Sequence, residues 1–190
     1  MTEKSIANRA EAMTMFKHNV KAKKIFRILA IVLILVSAVG CDRISKTIVR
    51  RNLNYHERVV VIDNFITLVR VENTGAFLSL GNTLPKGVNR VLLIIFPLIV
   101  LGFAMYYLLT KSELSGRMIT GLCLIIGGGI GNVYDRAVFG SVTDFMYMDF
   151  GLFRTGIFNA ADVFIMAGMF LVLFDMLAKR TETKSAIPDR

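Results

Sequence analysis

Four stretches of this chain are apolar for long enough to cross a bilayer, which takes roughly 20 mostly apolar residues. They cover about 25–45, 91–109, 118–138 and 157–177, the first with its most apolar part from Ile28 to Cys41. The second is interrupted only by Pro97 and Gly102, both tolerated in membrane helices. The segment between the first two spans is too long for a plain connector. Within it, Arg58-Val-Val-Val-Ile62 and Phe65-Ile-Thr-Leu-Val-Arg-Val71 are β-branched runs on either side of Asp63-Asn64, a tight-turn pair. A further strand and turn is predicted at Phe145-Met-Tyr-Met-Asp-Phe150 and Gly151, between the third and fourth spans. The pattern predicts a mainly α membrane protein with four transmembrane helices and a small extracytoplasmic antiparallel β-sheet, its β-rich loop at about 50–86. Residues 25–178 form a single membrane-embedded domain on this reading, with polar tails at 1–24 and 179–190.

Composition agrees with that picture. Of 190 residues 54% are hydrophobic and 19% charged, which argues against a soluble enzyme. The net charge of +9 sits beside apolar segments and is not interleaved with aromatics, so no nucleic-acid partner is expected. Basic residues cluster before the first span (Lys17, Lys21, Lys23, Lys24, Arg27), around the second loop (Lys111, Arg117) and after the last span (Lys179, Arg180). The third loop has only Arg154. The bias puts both termini in the cytoplasm. The first loop departs from the rule, carrying Arg43, Lys46, Arg50, Arg51, Arg58, Arg70, Lys86 and Arg90, but long loops obey it weakly. Two cysteines in apolar stretches and two distant histidines supply neither a zinc site nor a disulfide framework. The basic–apolar layout ending at Ala38-Val-Gly-Cys41 imitates a secretory leader with a lipoprotein processing site. Three later spans and Asp42 argue for a retained helix instead.

Ionisable groups in membrane spans cost roughly 2.5–3.5 kcal/mol each on insertion scales, so each needs a reason. Asp42 ends the first span, Asn132, Asp135 and Arg136 crowd the end of the third, and Asn159 and Asp162 open the fourth. Asp144 lies between the third and fourth. With alternating spans all of these meet at one boundary. Asp175, at the other end of the fourth span, has Lys179 beside it for simple pairing. Asn159 and Asp162 share a helix face, as do Asn132, Asp135 and Arg136. Gly127-Gly-Gly-Ile-Gly131 just before them has the spacing that lets helix backbones approach closely. No Ser–His or Cys–His pair accompanies the cluster, so nucleophilic catalysis is poorly supported. Two nearby carboxylates sharing one proton can activate water without a cofactor. Asp144 and Asp162 are the candidate pair. A helix cap or a salt bridge to Arg136 would account for either residue equally well from spacing alone.

Val71-Glu-Asn-Thr-Gly-Ala-Phe77, Gly131-Asn-Val-Tyr-Asp-Arg136, Val142-Thr-Asp144 and Phe158-Asn-Ala-Ala-Asp162 resemble, in order, the signature blocks of lipoprotein signal peptidase (signal peptidase II). Asp42 with Lys46 one turn on resembles that family's first block. The resemblance implies an aspartic endopeptidase of the bacterial inner membrane with an extracytoplasmic β-cradle. It would cut diacylglyceryl-modified prolipoproteins just before the lipidated cysteine, with Asp144 and Asp162 as the catalytic dyad. By the same resemblance Asn73, Asn132, Arg136 and Asn159 line the site or hold substrate, and Gly75 allows close backbone approach. Asp42 and Asp135 become structural acids, paired with Lys46 or Arg136. The implied partners are lipid-modified prolipoproteins and membrane phospholipids; the enzyme would act as a monomer without cofactor or metal. The tail before Lys24 is longer than the family usually carries. The rival readings are a small proton- or ion-coupled transporter, which would place its acids nearer the midplane and show a repeat, and a non-catalytic scaffold.

Overall fold

The computed structural model describes residues 3–75, 87–88 and 91–185, with side chains described for 21–75, 87–88 and 91–181. Ala76 and Phe77 of the second quoted block, Lys86 and Arg90 lie outside these residues. The chain divides into two compact units between Leu33 and Ile34. The first is helical over its described residues, and all that follows concerns the second.

Helix α1 is Glu3–Asn52, so the first apolar span is one part of a longer helix. It does not stop at Asp42, and Arg43, Lys46 and Arg50, read from sequence as loop charges, lie on its last turns. Strands β1 (Arg58–Ile62) and β2 (Ile66–Asn73) form the expected hairpin. Its turn places Asn64 at φ 56, a left-handed conformation that Asn tolerates better than most residues. Val91–Ile95 is wound as a π-helix and leads into α2, Phe96–Thr110, where Pro97 has no N–H to give the preceding turn. Helix α3, Gly116–Phe139, begins at Ser115, whose hydroxyl accepts the Met118 N–H at 3.1 Å. It ends at Gly140, whose φ of 77 lets the chain turn directly into β3, Val142–Met148. Helix α4 is Ala160–Ser185.

The sheet has the order β1-β2-β3, antiparallel throughout, so both loops contribute to one layer. Asn73 pairs with Val142 and Val71 with Asp144, which sets the end of β2 beside the start of β3. After β3 the chain folds back: Phe158 exchanges backbone hydrogen bonds with Met146, its N–H donating at 2.9 Å and its carbonyl accepting at 2.8 Å. That return brings Asn159 and the start of α4 alongside Asp144.

Four helices are long and apolar enough to cross a membrane. Helix α3 is the central one, with 56% of its most apolar window buried against 17% or less in the others. Its glycines explain how three neighbours come so near. A Cβ on Gly127 would lie 2.7 Å from Ala38 Cβ of α1, one on Gly128 2.5 Å from the Ala161 carbonyl oxygen of α4, and one on Gly129 2.6 Å from Leu101 of α2. Successive helix positions point about 100° apart, so three adjacent glycines open three faces. The sequence pattern predicted one close neighbour; the structure places three. Large apolar side chains such as Val36, Phe103 and Phe170 face outward, as lipid-facing positions do.

Candidate active site

Asp144, Asp162, Asn73, Asn132, Arg136 and Asn159 line one cleft of about 350 Å³. Its apolar wall comes from Leu92, Leu93, Phe96 and Pro97 at the start of α2, with Val142 and Ile157. The six polar residues come from four elements and their flanks, and each is held for a local reason.

Three asparagines solvate the two carboxylates. Asn159 precedes α4 as its cap: its Oδ1 accepts the Asp162 N–H at 3.1 Å, and Asp162 returns the bond by accepting the Asn159 N–H at 3.1 Å. With its oxygen so engaged, Asn159 points Nδ2 at Asp144 Oδ1, 2.7 Å away. Asn73 repeats the device, its Oδ1 accepting the Gly75 N–H at 3.0 Å and its Nδ2 donating to Asp144 Oδ2 at 3.0 Å. Asn132 accepts from Lys46 Nζ at 2.8 Å and donates to Asp162 Oδ1 at 2.9 Å. In every case an obligatory donor holds the amide oxygen, so the amide N–H must face a carboxylate. All four carboxylate oxygens thereby receive a neutral N–H. Among the described residues neither Asp144 nor Asp162 is ion-paired.

Burial pushes the Asp144 carboxyl up to about 6, against the hydrogen bonds from Asn73 and Asn159; the neighbouring Asp162 carboxyl adds to the rise and the Lys46 charge opposes it. Arg136 lines the cleft but donates to the Gly75 carbonyl at 2.8 Å, and so fixes the chain just beyond β2. The sequence reading offered Arg136 as a salt-bridge partner for these aspartates or for Asp135. The structure corrects this, because the loop carbonyl takes its guanidinium.

Asp42 and Asp135 are fully buried and lie in a second cluster, of ion pairs. Lys46 Nζ is 2.9 Å from Asp42 Oδ2 and 3.2 Å from Asp135 Oδ2. Arg43 also pairs with Asp135, and Arg50 reaches it at 3.1 Å. The Lys46 partnership was expected. The two arginines were not, although 43, 46 and 50 lie at i, i+3 and i+7 on one face once α1 continues past Asp42. Their misfit with the charge rule for loops was the available signal. Arg50 Nε donates to Thr143 Oγ1 at 2.7 Å, and Thr143 donates to Glu72 Oε1 at 2.8 Å, so the cluster is tied to β3 and β2. Gly131 faces the Asp42 carboxylate, where a side chain would collide with it. Asp175 is apart from all this, paired with Lys179 at 3.0 Å as expected, and with Arg117. Among the described residues no group of three His, Cys, Asp or Glu side chains is placed to hold a metal ion.

Comparison with known proteins identifies the family. The family model described as signal peptidase (SPase) II matches residues 34–178. A lipoprotein signal peptidase of Mesorhizobium japonicum is 37% identical over 163 residues, covering 82% of this chain and 90% of the relative. One of Clostridioides difficile is 37% identical over 145 residues, covering 75% and 92%. A bacterial membrane enzyme solved by the in meso method at 2.3 Å superposes with a TM-score of 0.74 at 24% identity, covering 86% of this chain and 94% of that one. The match is to fold, to length and to sequence together, and this chain belongs to the signal peptidase II family of membrane hydrolases.

Proposed function

We propose that this enzyme removes signal peptides from diacylglyceryl-modified prolipoproteins by cutting just before the lipidated cysteine, with Asp144 and Asp162 as its dyad. The observation that carries the reading is that both carboxylates line one cleft and, among the described residues, accept from neutral N–H groups without a cation partner. Asp144, the carboxyl raised by burial, holds the shared proton, and Asp162 is the ionised member.

Asp162 takes a proton from a water as its oxygen attacks the scissile carbonyl carbon, while Asp144 donates its proton to the carbonyl oxygen. The tetrahedral intermediate collapses with C–N cleavage; the leaving nitrogen takes the proton gained by Asp162, and the intermediate's hydroxyl returns one to Asp144. Arg136 and Asn73 hold the wall over the cleft, and the exposed apolar face beside it admits the acyl chains from the bilayer. The enzyme acts as a monomer with both termini cytoplasmic and the cleft at the extracytoplasmic boundary. Family membership leaves the transporter reading without support.

The test is cleavage of a lipidated prolipoprotein by the purified enzyme, next to the same substrate without lipid and next to Asp144→Asn and Asp162→Asn. Cleavage of the lipidated form alone, lost in both folded variants, supports the reading. Wild-type turnover by either variant refutes the dyad, and a cut elsewhere refutes the site of cleavage. Light scattering of the active fraction that gives the mass of two chains refutes the monomer. Leu152, fully exposed after β3, serves for sidedness: an impermeant thiol reagent should label Leu152→Cys, in a Cys41→Ser background, from outside the cell. Labelling only from the cytoplasm inverts the topology.

A further inference from the structure

Lys46 is fully buried, and among the described residues its ammonium lies within 3.2 Å of three side-chain oxygens. Two are the carboxylates of Asp42 and Asp135. The third is the side-chain oxygen of Asn132, a neutral group. Asn132 is an amide with two distinct ends, and Lys46 can only donate. The contact therefore decides which end of Asn132 faces Asp162. Asp42 completes the arrangement from the other side. Its Oδ2 takes Lys46 at 2.9 Å, while its Oδ1 accepts the Ala161 N–H at 3.0 Å in the first turn of α4, next to Asp162 itself.

We propose that Lys46 is a positioning residue for Asp162, acting through Asn132, with Asp42 holding both Lys46 and the backbone that carries Asp162. This rests on the dyad reading above and adds a residue to it. Were Lys46 replaced by a group that donates nothing, Asn132 would be free to turn its oxygen towards Asp162. Two acceptors would then meet, and the carboxylate would lose a donor that favours its charged form and fixes its place in the cleft. Lys46 is fully buried and does not line the cleft, so substrate binding should change little.

The groups that share this environment are all named by the structure. Asp42, Arg43 and Arg50 come from α1, and Asn132 and Asp135 from α3. Asp162 of α4 and Asp144 of β3 lie beyond Asn132, and Arg136 is engaged by the Gly75 carbonyl. A buried acid left without its cation is destabilising. The test is therefore run in an Asp42→Asn background, where the side-chain oxygen still accepts from Ala161.

In that background a double-mutant cycle of Lys46→Met and Asn132→Ala is measured for kcat, KM and the pH profile of kcat on the lipidated prolipoprotein. Lys46→Met should lower kcat on the order of tenfold or more, leave KM within about threefold, and move the acid limb of the profile to higher pH. In the Asn132→Ala background it should add less than about threefold, because the route is already cut. Additive losses, or a folded Lys46→Met enzyme with unchanged kcat, overturn the proposal. Asn132→Asp in the wild-type background decides the matter if Lys46→Met does not fold. It keeps an acceptor for Lys46 but offers none of the N–H that Asp162 needs, so kcat should fall by a similar factor with KM held; unchanged kcat overturns the proposal. Wild-type cleavage is the control that separates the two readings. If wild type does not cut, the proposed function fails, whereas cutting with an additive cycle sinks only the role of Lys46.

Discussion

Two pairs of aspartates lie side by side in this protein and are treated in opposite ways. Asp42 and Asp135 are surrounded by Lys46, Arg43 and Arg50, three cations for two acids. Among the described residues, Asp144 and Asp162 receive four N–H groups from three asparagines and no cation. The ion pairs of Asp135 fasten α1 to α3, which is a structural task. Neutral donors leave the balance to burial, which raises Asp144 to about 6 and keeps its proton within reach. Acidic residues of the same type thus become scaffold in one place and proposed machinery in the next. What separates them is the charge of their donors, and Lys46 with Asn132 bridges the two settings.

The largest effect that could break this contrast is on turnover. Asp162→Asn should lower kcat by roughly 10³-fold or more, near the general acid–base contribution of a positioned group, with the fold intact by circular dichroism. Asp135→Asn should do the reverse, leaving three cations short of a partner and costing about 3–5 kcal/mol of stability, read as a lower Tm in detergent. Any activity that remains should then track the folded fraction. Should Asp135→Asn stop turnover in a fully folded enzyme, the division between the pairs fails.

Asp144 sharpens the contrast through pH. Its folded carboxyl titrates at about 6, above the usual 3.8, so folding favours the neutral form. The associated stability is fully present below pH about 4 and is lost as pH rises through 6, up to roughly 3 kcal/mol. Asp144→Asn does not titrate, so its Tm relative to wild type should climb between pH 4 and 7. A gap that stays flat with pH would show that Asp144 is not buried in the way described. The smallest effect is the reference. Arg154 is mostly exposed and pairs with Asp149 at 2.8 Å, so Arg154→Ala should change stability by no more than about 1 kcal/mol and turnover not at all.

Much of this architecture is legible in the order of residues. Hydrophobic runs are long-range statements about solvent, so the four spans can be read without knowing what they touch, and so can the hairpin around Asp63-Asn64. Alternation of the spans brings Asp42, Asn132, Asp162 and their neighbours to one boundary, and family membership rests on blocks of residues that are visible directly. The glycines of 127–131 announce close packing, but not that three helices would use it, since the number of neighbours is a property of the assembled bundle.

Other features had to wait for the tertiary structure. Arg43, Lys46 and Arg50 read as stray loop charges until α1 is seen to continue to Asn52 and to turn them onto Asp135. Arg136 seemed the natural partner for an aspartate, yet a loop carbonyl reaches it first. The pairing of β3 with β2 and the return of Phe158 along Met146 bring Asn73 and Asn159 to Asp144 across long stretches of chain. The sequence by itself determined that the chain crosses a membrane four times and gathers its acids at one edge, because solvent preference and helical repeat are local. Only the fold decided which acids meet cations and which meet amides, because a partner's distance and the end of an amide it presents exist only once separate segments have packed together.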